Sequence, residues 1–212
     1  MTMQRDKFEG APIAVGGSEG FEGRMRRIRA EMLHAASVRA RDDSPWFAIR
    51  VMSGREKTVN EALEKAGVEA VVPMRKGPEY RRRGRVIPAS FIPVMTGYVL
   101  VRFMASDEAF LGVSGMEHVM GVLGGCLNPH RVSDKEVKRF KTLAENGKLD
   151  WEKPVCSFKK GEQVRISEGP YVGFLGRIIS CRSDAKGDAV VEMEIFRGVT
   201  SVLVPLAILE KV

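Results

Sequence analysis

Towards the C-terminus, apolar and polar positions alternate with the period of short strands. In residues 161–176 (G-E-Q-V-R-I-S-E-G-P-Y-V-G-F-L-G), Val164 and Ile166 alternate with Gln163 and Arg165, as in a half-buried strand. Glu168-Gly169-Pro170 supplies turn chemistry, and Gly173 and Gly176 mark a sharp bend or a close backbone approach. Further strands are predicted at Arg177-Ile178-Ile179, over residues 189–196 with Val191, Met193 and Ile195 on one face, over 201–205 and over 209–212. Several short strands with tight turns and no helical period predict a small β-barrel, a shape that removes unpaired edges.

The middle of the chain reads differently. Residues 46–51 (W-F-A-I-R-V) predict a strand. Ser53 and Glu56 have capping-box spacing ahead of a helix whose stripe is Val59, Ala62, Leu63 and Ala66, with Gly67 placed to end it. Strands follow at 68–73 and 97–103, then a short helix at 106–113, a strand near 119–123, and a Ser133/Glu136 capping box opening a last helix. The order β-α-β-β-α-β plus one helix predicts a ferredoxin-like α+β sandwich, an antiparallel sheet with helices on one face. In strand 97–103, Tyr98, Leu100 and Arg102 point one way and Val99, Val101 and Phe103 the other. Helices on one face leave the second face as uncovered apolar surface, the usual mark of a partner site. Residues 1–45 precede this domain as a glycine-containing extension, partly disordered, with a helix over 21–41 that places Met25, Ile28, Met32 and Ala35 at helical spacing. Residues 145–156, polar with Gly147 and Pro154, read as a flexible linker containing Trp151.

Charge adds a partner class. The 212 residues carry a formal net charge of +7, which suits an acidic partner such as nucleic acid. Residues 75–85 hold six basic residues and one acid, whereas residues 157–212 are almost balanced, with eight basic and seven acidic. Attraction to phosphate is therefore concentrated at Arg81, Arg82, Arg83 and Arg85, where Tyr80 alone is available for stacking and base-specific reading is not indicated. Three cysteines, Cys126, Cys156 and Cys181, are too few and too scattered for a disulfide framework and fit a reducing compartment. No apolar run reaches membrane-spanning length and the start lacks a hydrophobic signal core, so a soluble cytoplasmic protein is expected. His34, His118 and His130 have no nucleophile or carboxylate at motif spacing and there is no Gly-Lys-Ser/Thr phosphate loop; no enzyme, metal or cofactor is expected.

Residues 161–176 resemble the KOW motif. The ordered set W-F-A-I-R-V-M-S-G-R-E-K, V-V-P, R-R-R-G-R, P-V-M-T-G-Y-V-L-V, V-M-G-V-L-G and P-H-R-V-S-D-K-E-V resembles the NGN domain of the NusG family. The resemblance spans residues 46–212. It implies an NGN domain at 46–144, a linker at 145–156 and an SH3-like KOW barrel at 157–212, in a monomeric transcription elongation, termination or antitermination factor. It further implies that the NGN face binds the clamp helices of RNA polymerase through Trp46, Arg50, Tyr98 and Leu100, and that Arg81, Arg82, Arg83 and Arg85 approach upstream and non-template DNA. The KOW barrel is implied to recruit the termination factor Rho, or the ribosomal protein also called NusE, through Tyr171, Phe174, Ile195 and Phe196. Two departures leave a specialised, operon-specific paralogue open beside the general factor: Phe196-Arg197-Gly198-Val199-Thr200 in place of F-G-R-x-T, and P-V-M-T-G-Y in place of P-L-F-P-G-Y. A ribosome-associated or RNA-binding KOW protein is the other alternative, although it gives the α+β domain no purpose.

Overall fold

The computed structural model describes residues 20–151, 158–181, 186–195 and 198–212. Chain order is α1 (Phe21–Val38), β1 (Trp46–Val51), α2 (Glu56–Lys65), β2 (Glu69–Val71), β3 (Met74–Lys76), β4 (Tyr80–Arg82), β5 (Arg85–Ile87), β6 (Phe91–Pro93), β7 (Tyr98–Arg102), α3 (Asp107–Ser114), β8 (Val119–Val122), β9 (Arg131–Val132) and α4 (Asp134–Glu145). The barrel follows as β10 (Gln163–Ile166), β11 (Leu175–Cys181), β12 (Asp188–Ile195), β13 (Gly198–Pro205), a single 3₁₀ turn (Leu206–Ile208) and β14 (Leu209–Lys211).

The first sheet has the order β2-β7-β1-β8, with β9 also paired to β1, and its ladders are antiparallel. Alternation along β1 and β7 sends Phe47, Ile49, Val51, Val99, Val101 and Phe103 to one face, where they bury against α1, α2 and α3. Phe47, Phe103 and Phe110 of α3 meet there with ring centroids 5.1–5.3 Å apart. Trp46, Ala48 and Leu100 go to the other face and join a second core. Small two-stranded ladders, β3-β6 and β4-β5, lie outside the main sheet. The β4-β5 hairpin turns at Arg83 and Gly84, both at positive φ (50° and 76°), the geometry of a two-residue primed turn.

The barrel strands take the order β13-β12-β11-β10-β14. Val164, Ile166, Val191, Met193 and Ile195 are buried as their alternation predicts. Gly169 and Gly173 adopt positive φ (88° and 84°), and Gly176 faces β12 with no room for a side chain.

Local signals succeed where nothing competes for them. Ser133 and Glu136 form the reciprocal capping box, and Ser106 caps α3 by accepting from the Ala109 amide. Ser53 and Glu56 do not form one: α2 starts after Arg55, without a side-chain cap, because the buried Glu56 carboxylate accepts instead from the Gly97 amide at 2.7 Å. The extension helix exists and is docked, but its buried stripe is corrected. Leu33 and Ala36 are buried while Met32 and Ala35 are exposed, since the approach of α3 selects the neighbouring face. Residues 146–151 are also not a loose tether. Leu149 is buried, the Trp151 amide donates to the Lys76 carbonyl at 3.0 Å, and the Lys76 amide donates to Asp150 Oδ1 at 2.9 Å.

A Cβ at Gly176 would overlap Val191 Cγ1 and lie 2.7 Å from Met193 Cγ and 2.9 Å from the Glu192 carbonyl oxygen. Gly176→Ala is therefore expected to destabilise the barrel by about 1–3 kcal/mol, read as a lower urea midpoint; an unchanged midpoint contradicts the packing.

Candidate functional site

The second face of the NGN-like sheet is not bare. The barrel and α4 cover it, and one apolar core runs from Trp46, Ala48, Val94, Met95 and Leu100 through Val137, Phe140 and Ala144 to Val164, Ile166, Tyr171, Met193 and Ile195. This overturns the uncovered surface expected from sequence. A sheet face carrying Trp46 and Leu100 costs free energy in water, and the tethered barrel is the nearest apolar surface available to it. No hydrogen-bonded ladder joins the two sheets among the described residues, so side chains make the contact.

Each residue singled out in the sequence has a definite place. Trp46 and Leu100 are buried, 3% and 2% exposed, and Tyr98 is half-buried with its ring 5.4 Å from that of Tyr171, edge to face. Trp46 Nε1 donates to Asp134 Oδ1 at 3.1 Å, and the Arg102 guanidinium stacks over its ring at 5.3 Å while pairing with Glu69. Arg50 is exposed, at the mouth of a cleft of about 370 Å³ between the domains that is also lined by Tyr98, Met120, Tyr171, Ile195 and Thr200. Barrel residues expected as exposed anchors prove otherwise: Tyr171 is buried and Phe174 half-buried where the barrel meets the sheet, and Ile195 is buried on the inward face of β12 with Val191 and Met193. Phe196 and Arg197 lie outside the described residues, as does Cys156. Arg81, Arg82, Arg83 and Arg85 are all exposed on the β4-β5 hairpin.

Sequence reasoning missed the polar fastenings of this contact. Arg75, counted there with the basic run, is 2% exposed; its Nη2 lies 2.6 Å from Asp188 Oδ1 of β12 and its guanidinium sits 5.5 Å from the Trp151 ring centroid. Arg139 of α4 pairs with Glu168 of the barrel at 2.6 Å. Burial raises the pKa of both Asp188 and Glu168, opposed in each case by its arginine. His130 packs edge to face on Phe174 with centroids 5.2 Å apart. The only sequence trace of Arg75 and Asp188 was their charge, and pairing across 113 positions is invisible to local spacing.

The contact is imperfect. Among the described residues, Arg75 Nε and the Tyr171 hydroxyl are buried without a hydrogen-bond partner of good geometry, each a cost of about 1–3 kcal/mol. Burial pushes the Tyr171 phenol far above its ordinary range.

Together these features define a class: a two-domain binding factor in which an α+β domain and a small barrel bury their candidate partner surfaces against each other. A family model described as "Transcription termination factor nusG" matches residues 44–141. The transcription termination/antitermination protein NusG of Yersinia pestis is 31% identical over 178 residues, covering 78% of this chain and 95% of that protein. Its counterpart in Neisseria meningitidis serogroup B is 27% identical over 183 residues, covering 79% and 97%. A solved structure described as "Domain interaction in Thermotoga maritima NusG" shares 29% identity, covers 80% of this chain and 97% of its own, and has a TM-score of 0.39. The chain belongs to the NusG family, whose members are transcription termination/antitermination factors rather than enzymes. No helix of the described residues is long and apolar enough to cross a membrane.

Docking takes the His130 ring out of water, which lowers its pKa, with smaller opposing contributions from Glu136 and the Pro170 carbonyl. The docked state therefore favours neutral His130. A solvated ring binds its proton near pH ~6.5, so the contribution of His130 to docking is at full strength above that pH and weakens as pH falls below it, whereas the raised pKa of Asp188 and Glu168 acts in the opposite sense at lower pH. Amide chemical shifts of Tyr98 and Gly169 are expected to move towards undocked values between pH 7.5 and 5.5, about an unperturbed pKa of ~6.5. His130→Gln should flatten that response; an equal response in the variant contradicts the assignment.

Proposed function

We propose that this protein modulates transcription by binding RNA polymerase through the β1-β7 face, with Trp46, Arg50, Tyr98 and Leu100 as the contact set, and that the docked barrel masks that face. One observation carries the reading: residues of the set that the family resemblance implies for polymerase and of the set that it implies for the barrel's partner pack on one another, with Tyr98 and Tyr171 in edge-to-face contact at 5.4 Å. A single opening movement then exposes both. Polymerase docking and recruitment of a second partner, Rho, NusE with its ribosome, or a specialised protein, become coupled through Tyr171, Phe174, Ile195 and Phe196. The unpartnered buried atoms of Arg75 and Tyr171 support a contact that can be exchanged, because a polymerase surface could offer the missing partners. The docked α1 and the Phe196-Arg197-Gly198 order favour a specialised paralogue over a general elongation factor. On this reading the protein works in the bacterial cytoplasm as a monomer.

The exposed arginines of the β4-β5 hairpin supply sequence-independent contact to upstream or non-template DNA. Neutralising Arg81, Arg82, Arg83 and Arg85 is expected to lower the salt dependence of DNA binding while retention on polymerase persists; an unchanged salt slope removes the hairpin from this role.

Removing one partner of a buried pair leaves the other charge uncompensated, at about 3–5 kcal/mol. Asp188→Asn, and independently Arg75→Ala, are therefore expected to raise capture by core RNA polymerase about tenfold or more. Tyr98→Asp with Leu100→Asp in the Asp188→Asn background should abolish it. Capture unaffected by opening contradicts masking, and retention by ribosomes alone contradicts the polymerase reading.

A further inference from the structure

Helix α1 carries two apolar stripes, and the fold uses one of them. Leu33 and Ala36 are buried beneath the helix, Ser37 Oγ donates to the Gly67 carbonyl at 2.8 Å, and the Met104 amide donates to the Ala36 carbonyl at 3.0 Å. These contacts fix α1 on the sheet face opposite the barrel. The second stripe is Phe21, Met25, Ile28, Met32 and Ala35, whose alternating steps of four and three residues are those of a coiled-coil seam. Among the described residues this stripe is left open: Phe21 is 77% and Met32 39% exposed, Ala35 is exposed, and Met25 and Ile28 are half-buried.

Charges flank this seam. Arg24 and Glu31 border one side and Glu22 and Arg29 the other, the positions that in paired helices choose partner and orientation. All four are exposed, and none has an ion-pair partner among the described residues. Arg29 passes over Gly115 of α3, where a Cβ would lie 2.6 Å from Arg29 Cδ, so its side chain is held on that flank. Beside the seam, Met32, Ala35 and Ala36 of α1 and Met104 ahead of α3 line a hollow of about 160 Å³. A cavity of roughly 150 Å³ takes a benzene ring.

We propose that the open stripe of α1 is a self-association surface, on which a second copy of this chain lays its own α1 antiparallel. Charge selects the arrangement. A parallel pairing sets Arg24 against Arg29 of the second copy, where like charges repel. An antiparallel pairing with Met25 level with Ala35 sets Glu31 against Glu31 and Arg29 against Arg29. With Met25 level with Ile28, the antiparallel pairing sets Arg24 beside Glu31 and Glu22 beside Arg29, each twice by the two-fold symmetry. The same register brings Phe21 of each copy level with Met32 of the other, at the mouth of the hollow. Ring, hollow and opposite charges therefore agree on one register. Two 18-residue helices make a small contact, so pairing is reversible, with a dissociation constant no tighter than about micromolar. The pair is the resting form of the free protein, and a copy at work on polymerase is single. Because α1 and the barrel occupy opposite faces, the inference does not rest on the polymerase reading.

The test is sedimentation velocity of the full chain from about 1 to 200 μM, which brackets a micromolar constant. The sedimentation coefficient should rise with concentration towards that of a dimer. Phe21→Asp, and independently Arg24→Glu, should weaken pairing about tenfold or more, with unchanged thermal midpoints because both side chains are exposed. Glu31→Arg should weaken it likewise. An equimolar mixture of the Arg24→Glu chain and the Glu31→Arg chain should pair again, since each supplies the opposite charges that the other lacks. Asp188→Asn, on the far side of the sheet, should leave pairing intact. A chain that stays monomeric at the highest concentration, pairing unaffected by Arg24→Glu, a mixture that fails to pair, or pairing lost with Asp188→Asn overturns the proposal.

Discussion

Everything in this molecule turns on the second face of one antiparallel sheet. Strand alternation sends Phe47, Ile49, Val99, Val101 and Phe103 into a core closed by helices, and the same alternation places Trp46, Ala48 and Leu100 on the reverse side. That reverse side is too apolar to stand in water. Here the barrel and α4 cover it, so that one continuous core crosses from one domain to the other. The barrel in turn buries Tyr171 beside Tyr98 of that face.

Apolar burial explains why the domains meet; the polar groups bear on how firmly. Arg75 with Asp188, and Arg139 with Glu168, set the register of barrel on sheet through charge pairs that are partly or wholly out of water. Such pairs contribute little net stability against their desolvation, yet they penalise any arrangement that leaves one partner alone. The unpartnered Arg75 Nε and Tyr171 hydroxyl, and the cleft beside Arg50, mark a contact short of the packing of a permanent core. Masking of a partner face requires such a contact to be exchangeable, since a permanently sealed face serves no partner.

Much was legible residue by residue. The capping box at Ser133 and Glu136, the alternation of Val164 and Ile166, the positive-φ glycines and the two-faced strand Tyr98–Arg102 all follow from neighbours within a few positions. Failures occurred where a distant group outbid a local one. Glu56 had the spacing of a cap and served the Gly97 amide instead. Met32 and Ala35 had helical spacing, and the approach of α3 buried Leu33 and Ala36. Arg75 read as part of a solvated basic run and lies in the domain contact.

The sequence by itself determined most of the elements, the family and the apolar character of both candidate partner surfaces, because periodicity and turn chemistry act over short separations. Only the tertiary structure decided that these two surfaces satisfy each other and that α1 is docked on the far side. Burial is non-directional: an apolar face demands cover, and which cover it finds depends on what the folded chain brings within reach.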